Sequence, residues 1–196
     1  MKLGKLITAA AVAAAFATPA LAQTTGSEVQ RNVNQQQRIE QGLQSGQLNT
    51  REAAKLEGEE SRVEKMESRA LKDGKLSPEE RARIDRAQNQ VSRDIYREKH
   101  DAQVGNPNSP SSQRMQADVQ RNINQQQRIE QGVQNGSLTN REVGKLERGQ
   151  AHDNATQYRA GRDGQVGPNE QRRIQNAENT QSRRIYRQKH DAQTRQ

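Results

Sequence analysis

The sequence predicts an all-α protein built from two tandem three-helix units, and three observations carry that expectation. Shifted by 90 residues the chain aligns with itself without a gap, with 41 of 76 positions identical between residues 28–103 and 118–193. Aliphatic residues recur at spacings of three and four, the period of a helix with one buried face. Glycine-containing turns followed by Ser, Thr or Asn separate these segments, as helix ends and starts require.

In the first unit, helix 1 is expected over about residues 27–44. Val29, Val33, Ile39 and Leu43 share one face, with Ser27 as N-cap. Gly46 suits the left-handed position after a helix, and Asn49 or Thr50 can cap the next one. Helix 2 runs to about Lys72 with Ala53, Leu56, Val63, Met66 and Ala70 inward. Gly74 then closes it, Ser77 caps helix 3, Pro78 takes the first helical position and Glu80 completes a capping box. Helix 3 carries Ile84, Ala87, Val91 and Ile95, a narrow seam for packing on other helices.

The second unit repeats this plan with a weaker middle. Val63, Met66 and Leu71 become Asp153, Thr156 and Gly161, and Ser77 becomes Gly167. Gly144 and Gly149 each cost a helix about 1 kcal/mol relative to Ala, so the second unit is expected to be partly frayed there. The resulting division is a leader at 1–22, a short tail at 23–27, repeat 1 at 28–103, a Pro/Asn/Ser-rich flexible linker at 104–117 and repeat 2 at 118–196.

The leader has Lys2 and Lys5, an apolar run from Leu6 and a small-residue site at Ala20-Leu21-Ala22. It reads as a secretory signal cleaved near Ala22–Gln23, too short to span a bilayer. A periplasmic or secreted protein follows as the expectation, with no transmembrane segment once the signal is removed. No cysteine is present, so no disulfide supports the fold. Only 29% of residues are hydrophobic and 2% aromatic, and the mean hydropathy is −1.27. Any apolar core must be thin.

The formal charge of +8 falls to +6 without Lys2 and Lys5. Residues 28–103 hold 15 basic and 15 acidic groups, and residues 118–193 hold 13 and 9. The excess therefore sits in repeat 2. Export, scarce aromatics and interleaved acids argue against a nucleic-acid partner.

The turns resemble degenerate EF-hand half-loops, with Gly, an aliphatic residue and Glu at Gly46-Leu48-Glu52, Gly74-Leu76-Glu80, Gly136-Leu138-Glu142 and Gly164-Val166-Glu170. The first ligand positions would be Gln41 and Arg69, which do not suit calcium. Capping is the expected role, and neither metal nor cofactor is expected. The candidate ligands, were a metal bound, are Glu52, Glu80, His100, Asp101, Glu142, Glu170, His190 and Asp191.

The stretches "IYREKHDAQ" and "IYRQKHDAQ" end the third helices. An up-down-up bundle would bring Tyr96 and His100 beside Glu40, Gly46, Arg51 and Glu52, with Tyr96 capping the glycine turn. A recognition surface of Tyr96, His100 and Arg51, repeated by Tyr186, His190 and Arg141, is the alternative to plain helix termination. No nucleophile–base set or phosphate loop is present, and carboxylates are expected on solvated helix faces. An enzyme is not expected.

The runs "QRNINQQQRIEQGVQNGSLTNREVGKLE" and "RRIYRQKHDAQ" resemble a family of exported proteobacterial helical-repeat proteins. The resemblance covers both copies and implies a signal peptide and helical repeats, with no catalytic or ligand residues to carry over. The functional expectation is a non-enzymatic interaction or scaffolding module of the cell envelope. Its partner would be an envelope protein or an anionic surface, and self-association is open. The alternatives are a hydrophilic stress protectant and a metal-responsive protein.

Overall fold

Six helices form where the repeat and its turns place them, in a computed structural model that describes residues 20–193, with side chains from Thr25 onward. The expected leader lies outside these residues apart from the backbone of Ala20, Leu21 and Ala22. The helices are α1 (Ala20–Ser45), α2 (Thr50–Ala70), α3 (Pro78–Lys99), α4 (Pro110–Gln134), α5 (Asn140–Gly161) and α6 (Pro168–Lys189). Local chemistry sets their ends. Asn49, Ser77 and Thr139 accept from the backbone N–H three residues on, while Glu52, Glu80 and Glu142 return the bond as capping boxes. Gly46, Gly74, Gly136 and Gly164 all have positive φ, between 76° and 91°, a conformation that disfavours a side chain.

Three boundaries differ from the sequence expectation, each for a tertiary reason. Ser27 lies inside α1 rather than capping it. The helix extends because Thr25, 1% exposed, packs at the start of α5, where its hydroxyl donates to Asn140 Oδ1 at 3.1 Å. Half of the supposed linker is helix: Ser109 caps α4, Pro110 opens it and Met115 is fully buried. What remains, Val104–Ser109, is pinned where Gly105 N–H donates to Gly46 O at 2.8 Å. Finally, α5 is one unbroken helix and not a frayed one. Its glycines are places of close approach: a Cβ on Gly161 would lie 2.8 Å from the Ala54 Cβ, and one on Gly144 would lie 2.9 Å from the Leu71 Cβ.

The two repeats are not separate bundles. α2 lies along α5 and α1 along α4, while α3 covers α1 and α2, and α6 covers α4 and α5. Both central pairs are antiparallel and related by an approximate twofold axis. Arg51 at the start of α2 donates to Asp163 O beyond the end of α5 at 3.0 Å, and its counterpart Arg141 donates to Asp73 O at 3.2 Å. Near the axis, Ser61 Oγ donates to the carbonyl of its own counterpart, Ala151, at 2.8 Å.

Each repeat completes the other's core. One apolar cluster joins Ile39, Leu43, Leu48, Leu56 and Ile95 of repeat 1 to Met115, Val119, Ile123 and Ile174 of repeat 2. The other joins Ile129, Val133, Leu138, Leu146 and Ile185 to Val29 and Leu71. Burying each large aliphatic side chain contributes about 1.5–3 kcal/mol. That the chain folds with so few of them reflects this sharing.

Candidate functional site

Among the apolar side chains lies a layer the sequence reading missed. Glu57, Glu60, Glu64 and Glu67 on α2 and Glu147 on α5 are each at most 2% exposed. The expectation that the carboxylates lie on solvated faces is thereby overturned. α2 is enclosed on most sides and leaves exposed a stripe of Arg51, Lys55, Arg62, Lys65 and Arg69. Its glutamates are turned inward instead. Met66, expected inward, is only half-buried, because the buried face runs through Glu64 and Glu67 beside it.

Amides from every neighbouring helix serve these acids. Gln36 Nε2 donates to Glu57 Oε2 at 3.0 Å, and its counterpart Gln126 donates to Glu147 Oε2 at 3.1 Å. Gln126 and Asn154 donate to Glu64. Asn32 and Gln88 donate to Glu67 at 2.9 and 3.1 Å. In repeat 2, Asn122 donates to Asn154 and Gln157, and Gln157 donates to Glu178 at 3.3 Å. Buried polar groups demand such partners.

Burial also changes the acid–base chemistry. It pushes Glu57 to about 8, against the opposing effect of the Gln36 hydrogen bond and of the nearby Asn122 amide. It raises Glu147 and Glu178 to about 7, the latter held back by Arg121. Asp118 and Asp153 rise to about 8, through burial first and Glu178 second. Glu60, Glu64 and Glu67 stand well above the ordinary carboxylate range, because burial is reinforced by neighbouring carboxylates.

The surface carries a second feature, present twice. On α3 and α1 a groove of about 720 Å³ is lined by Arg38, Ser92, Arg93, Tyr96 and Arg97, with Asn89 and Gln90 at its edge. On α6 and α4 a groove of about 550 Å³ is lined by the counterparts Arg128, Ser182, Arg183, Tyr186 and Arg187. Tyr96 is 59% and Tyr186 58% exposed. Each ring stacks on the histidine one turn later, His100 at 4.1 Å and His190 at 4.2 Å between centroids. Each histidine Nδ1 lies 2.7 Å from the same tyrosine's backbone carbonyl.

The grooves differ in charge. In the first, Asp94 pairs with Arg97. In the second, Arg184 stands at the Asp94 position and Gln188 at the Glu98 position. Among the described residues Arg183 and Arg187 make no ion pair.

The expected recognition surface is thus divided. Tyr96, His100, Tyr186 and His190 stay together at the grooves, and the tyrosines cap no glycine turn. Arg51 and Arg141 are instead tied to the opposite repeat. Of the residues considered for metal, Glu52, Glu80, Glu142 and Glu170 accept the backbone N–H of their own helix caps at 2.7–3.0 Å. Asp101 and Asp191 accept from Gln103 and Gln193 in their turns. Glu52, Glu98 and Asp101 do bring one oxygen each within 4.8 Å of one another. There Lys55 Nζ, 2.6 Å from Glu98, already supplies the positive charge.

These features define a six-helix bundle with an internal twofold, a buried acid–amide layer and two cationic grooves. No family model matches the chain, and neither a curated protein nor a solved structure matches it.

Proposed function

We propose that this chain is a non-enzymatic interaction module that engages a phosphate-bearing anionic surface through its two Tyr–Arg grooves. The observation that carries this reading is the pair of equivalent grooves, each with an exposed tyrosine among three arginines. Guanidinium forks suit phosphate oxygens, and an amphipathic tyrosine ring suits the boundary between headgroups and water. The burial of so many acids supports the same reading. Burial raises Glu57, Asp118 and Asp153 to about 8, so these acids are mostly protonated at neutral pH and offset the surface arginines less than the formal charge implies. Export, expected from the leader, would bring the chain to an envelope where such surfaces occur.

The experiment is cosedimentation with vesicles of phosphatidylglycerol and of phosphatidylcholine. Saturable binding to the anionic vesicles alone, weakening with salt, is the expected outcome. R128A/R183A/R187A should lose more binding than R38A/R93A/R97A, since repeat 2 carries the groove without an acid. Equal retention on both vesicle types would exclude an anionic surface and leave an acidic protein as the partner to seek.

A further inference from the structure

The buried layer contains an arrangement that hydrogen bonding to ionised carboxylates does not explain. Gln36 donates to Glu57 through one N–H, and Gln126 donates to Glu147 in the same way. The other oxygen of every partner, Glu57 Oε1, Gln36 Oε1, Glu147 Oε1 and Gln126 Oε1, is buried and accepts nothing. Each junction therefore holds an amide carbonyl in want of a donor beside a carboxyl group. A proton on the free carboxyl oxygen is the one donor that the pair itself can provide. An acid and a primary amide then bond reciprocally, N–H to one oxygen and O–H to the carbonyl. The junction recurs at two positions 90 residues apart.

We propose that Glu57 and Glu147 are the protonated halves of two reciprocal acid–amide pairs with Gln36 and Gln126, and that the layer is a proton-binding site which stabilises the fold in mild acid and loosens it in base. The ligand of the buried site is the proton.

The groups around the pairs agree. Glu57 faces Glu60 and Glu64 of its own helix, Asp118 of α4 and Glu178 of α6. Glu147 faces Glu60 and Glu64 of α2 and shares a hydrogen bond with the Glu67 carboxyl, which with Gln126 opposes the effect of burial. The positive groups nearby are Arg121, which serves Glu178, and Arg38, which faces Glu60. No cation pairs with Glu57 or Glu147 among the described residues.

The direction of the pH dependence follows from linkage. The folded chain holds these protons to a higher pH than the unfolded chain does. The stabilisation is complete below the ordinary carboxylate range, shrinks as pH rises above it and is lost past about 8 for Glu57 and about 7 for Glu147.

The test is urea unfolding of the full chain from pH 4.5 to 8.5, with infrared detection of the protonated carboxyl C=O stretch. The urea midpoint should fall as pH rises, and the carboxyl band should persist at pH 7. In E57Q/E147Q an amide replaces each acid and keeps both hydrogen bonds. The variant should fold, lose part of the band and release about two fewer protons on unfolding at pH 6, read from the slope of stability against pH. A midpoint that is flat or rises with pH, or no protonated-carboxyl band at pH 7 in the wild-type chain, overturns the proposal. Should the double variant not fold, E57Q and E147Q made singly decide the matter: each should lose part of the band, and a band left unchanged by both overturns the proposal.

Discussion

Glu67 and Gln88 in repeat 1 occupy the positions of Gln157 and Glu178 in repeat 2, so acid and amide have changed places across one hydrogen bond. Either order leaves one acceptor and one donor, and the bond survives. A second acid at the same junction would leave the bond dependent on a proton held between two carboxyls. Q88E alone should therefore cost about 1–3 kcal/mol at pH 7, because a buried carboxyl loses its amide donor and meets a like neighbour. E67Q/Q88E rebuilds the arrangement of repeat 2 and should recover most of that loss, with a coupling of about 0.5–3 kcal/mol in a double-mutant cycle by urea denaturation. Arg31, at the position of Arg121, is at hand to serve a glutamate at 88, as Arg121 serves Glu178. If the double substitution is no better than the single one, the exchange is not compensatory.

Among the elements, α2 and α5 show why some features were legible and others were not. Turn chemistry is local, so the cap at Ser77 with Pro78 after it, the cap of α2 to within Asn49 or Thr50, and the left-handed glycines are legible in sequence. The burial of α2 depends on a partner helix 90 residues away and had only an indirect signal. Arg51, Lys55, Arg62, Lys65 and Arg69 follow one stripe, while Glu57, Glu60, Glu64 and Glu67 follow another. A solvated helix mixes the two signs at spacings of three and four, and a helix that segregates them is hiding one set. The glycines of α5 are illegible in sequence for the same reason. Helix propensity counts them as a weakness, but Gly161 admits Met115 and Ala54. Gly161→Ala, which would gain about 0.5–1 kcal/mol in an open helix, should here cost about 1–3 kcal/mol through overpacking, measured by thermal and urea unfolding. A stabilised variant would show that α5 can shift without loss.

At the level of the whole molecule, the all-α class and the 90-residue duplication were readable, but the way the repeats embrace was not. A sequence with two alike halves and a polar connection fits beads on a string equally well. The decision rests on the shared apolar clusters, which join residues far apart in the chain. Residues 23–103 alone would lack α4 and α5, the helices against which α1 and α2 pack. That fragment should show weak helical circular dichroism as a monomer, and any helix it gains should accompany self-association in sedimentation. A fully helical, monomeric fragment would mean that each repeat is independent after all.

The connection Val104–Ser109 gives the embrace a further consequence. Two separate three-helix chains packed in this way would form a dimer whose survival depends on how much of it is present. Joined by the ten residues 100–109 between α3 and α4, with Gly105 anchored on Gly46, each half meets the other at an effective concentration on the order of millimolar. The assembly becomes a unimolecular fold, indifferent to dilution. However scarce the chain, it would keep its buried layer and both grooves.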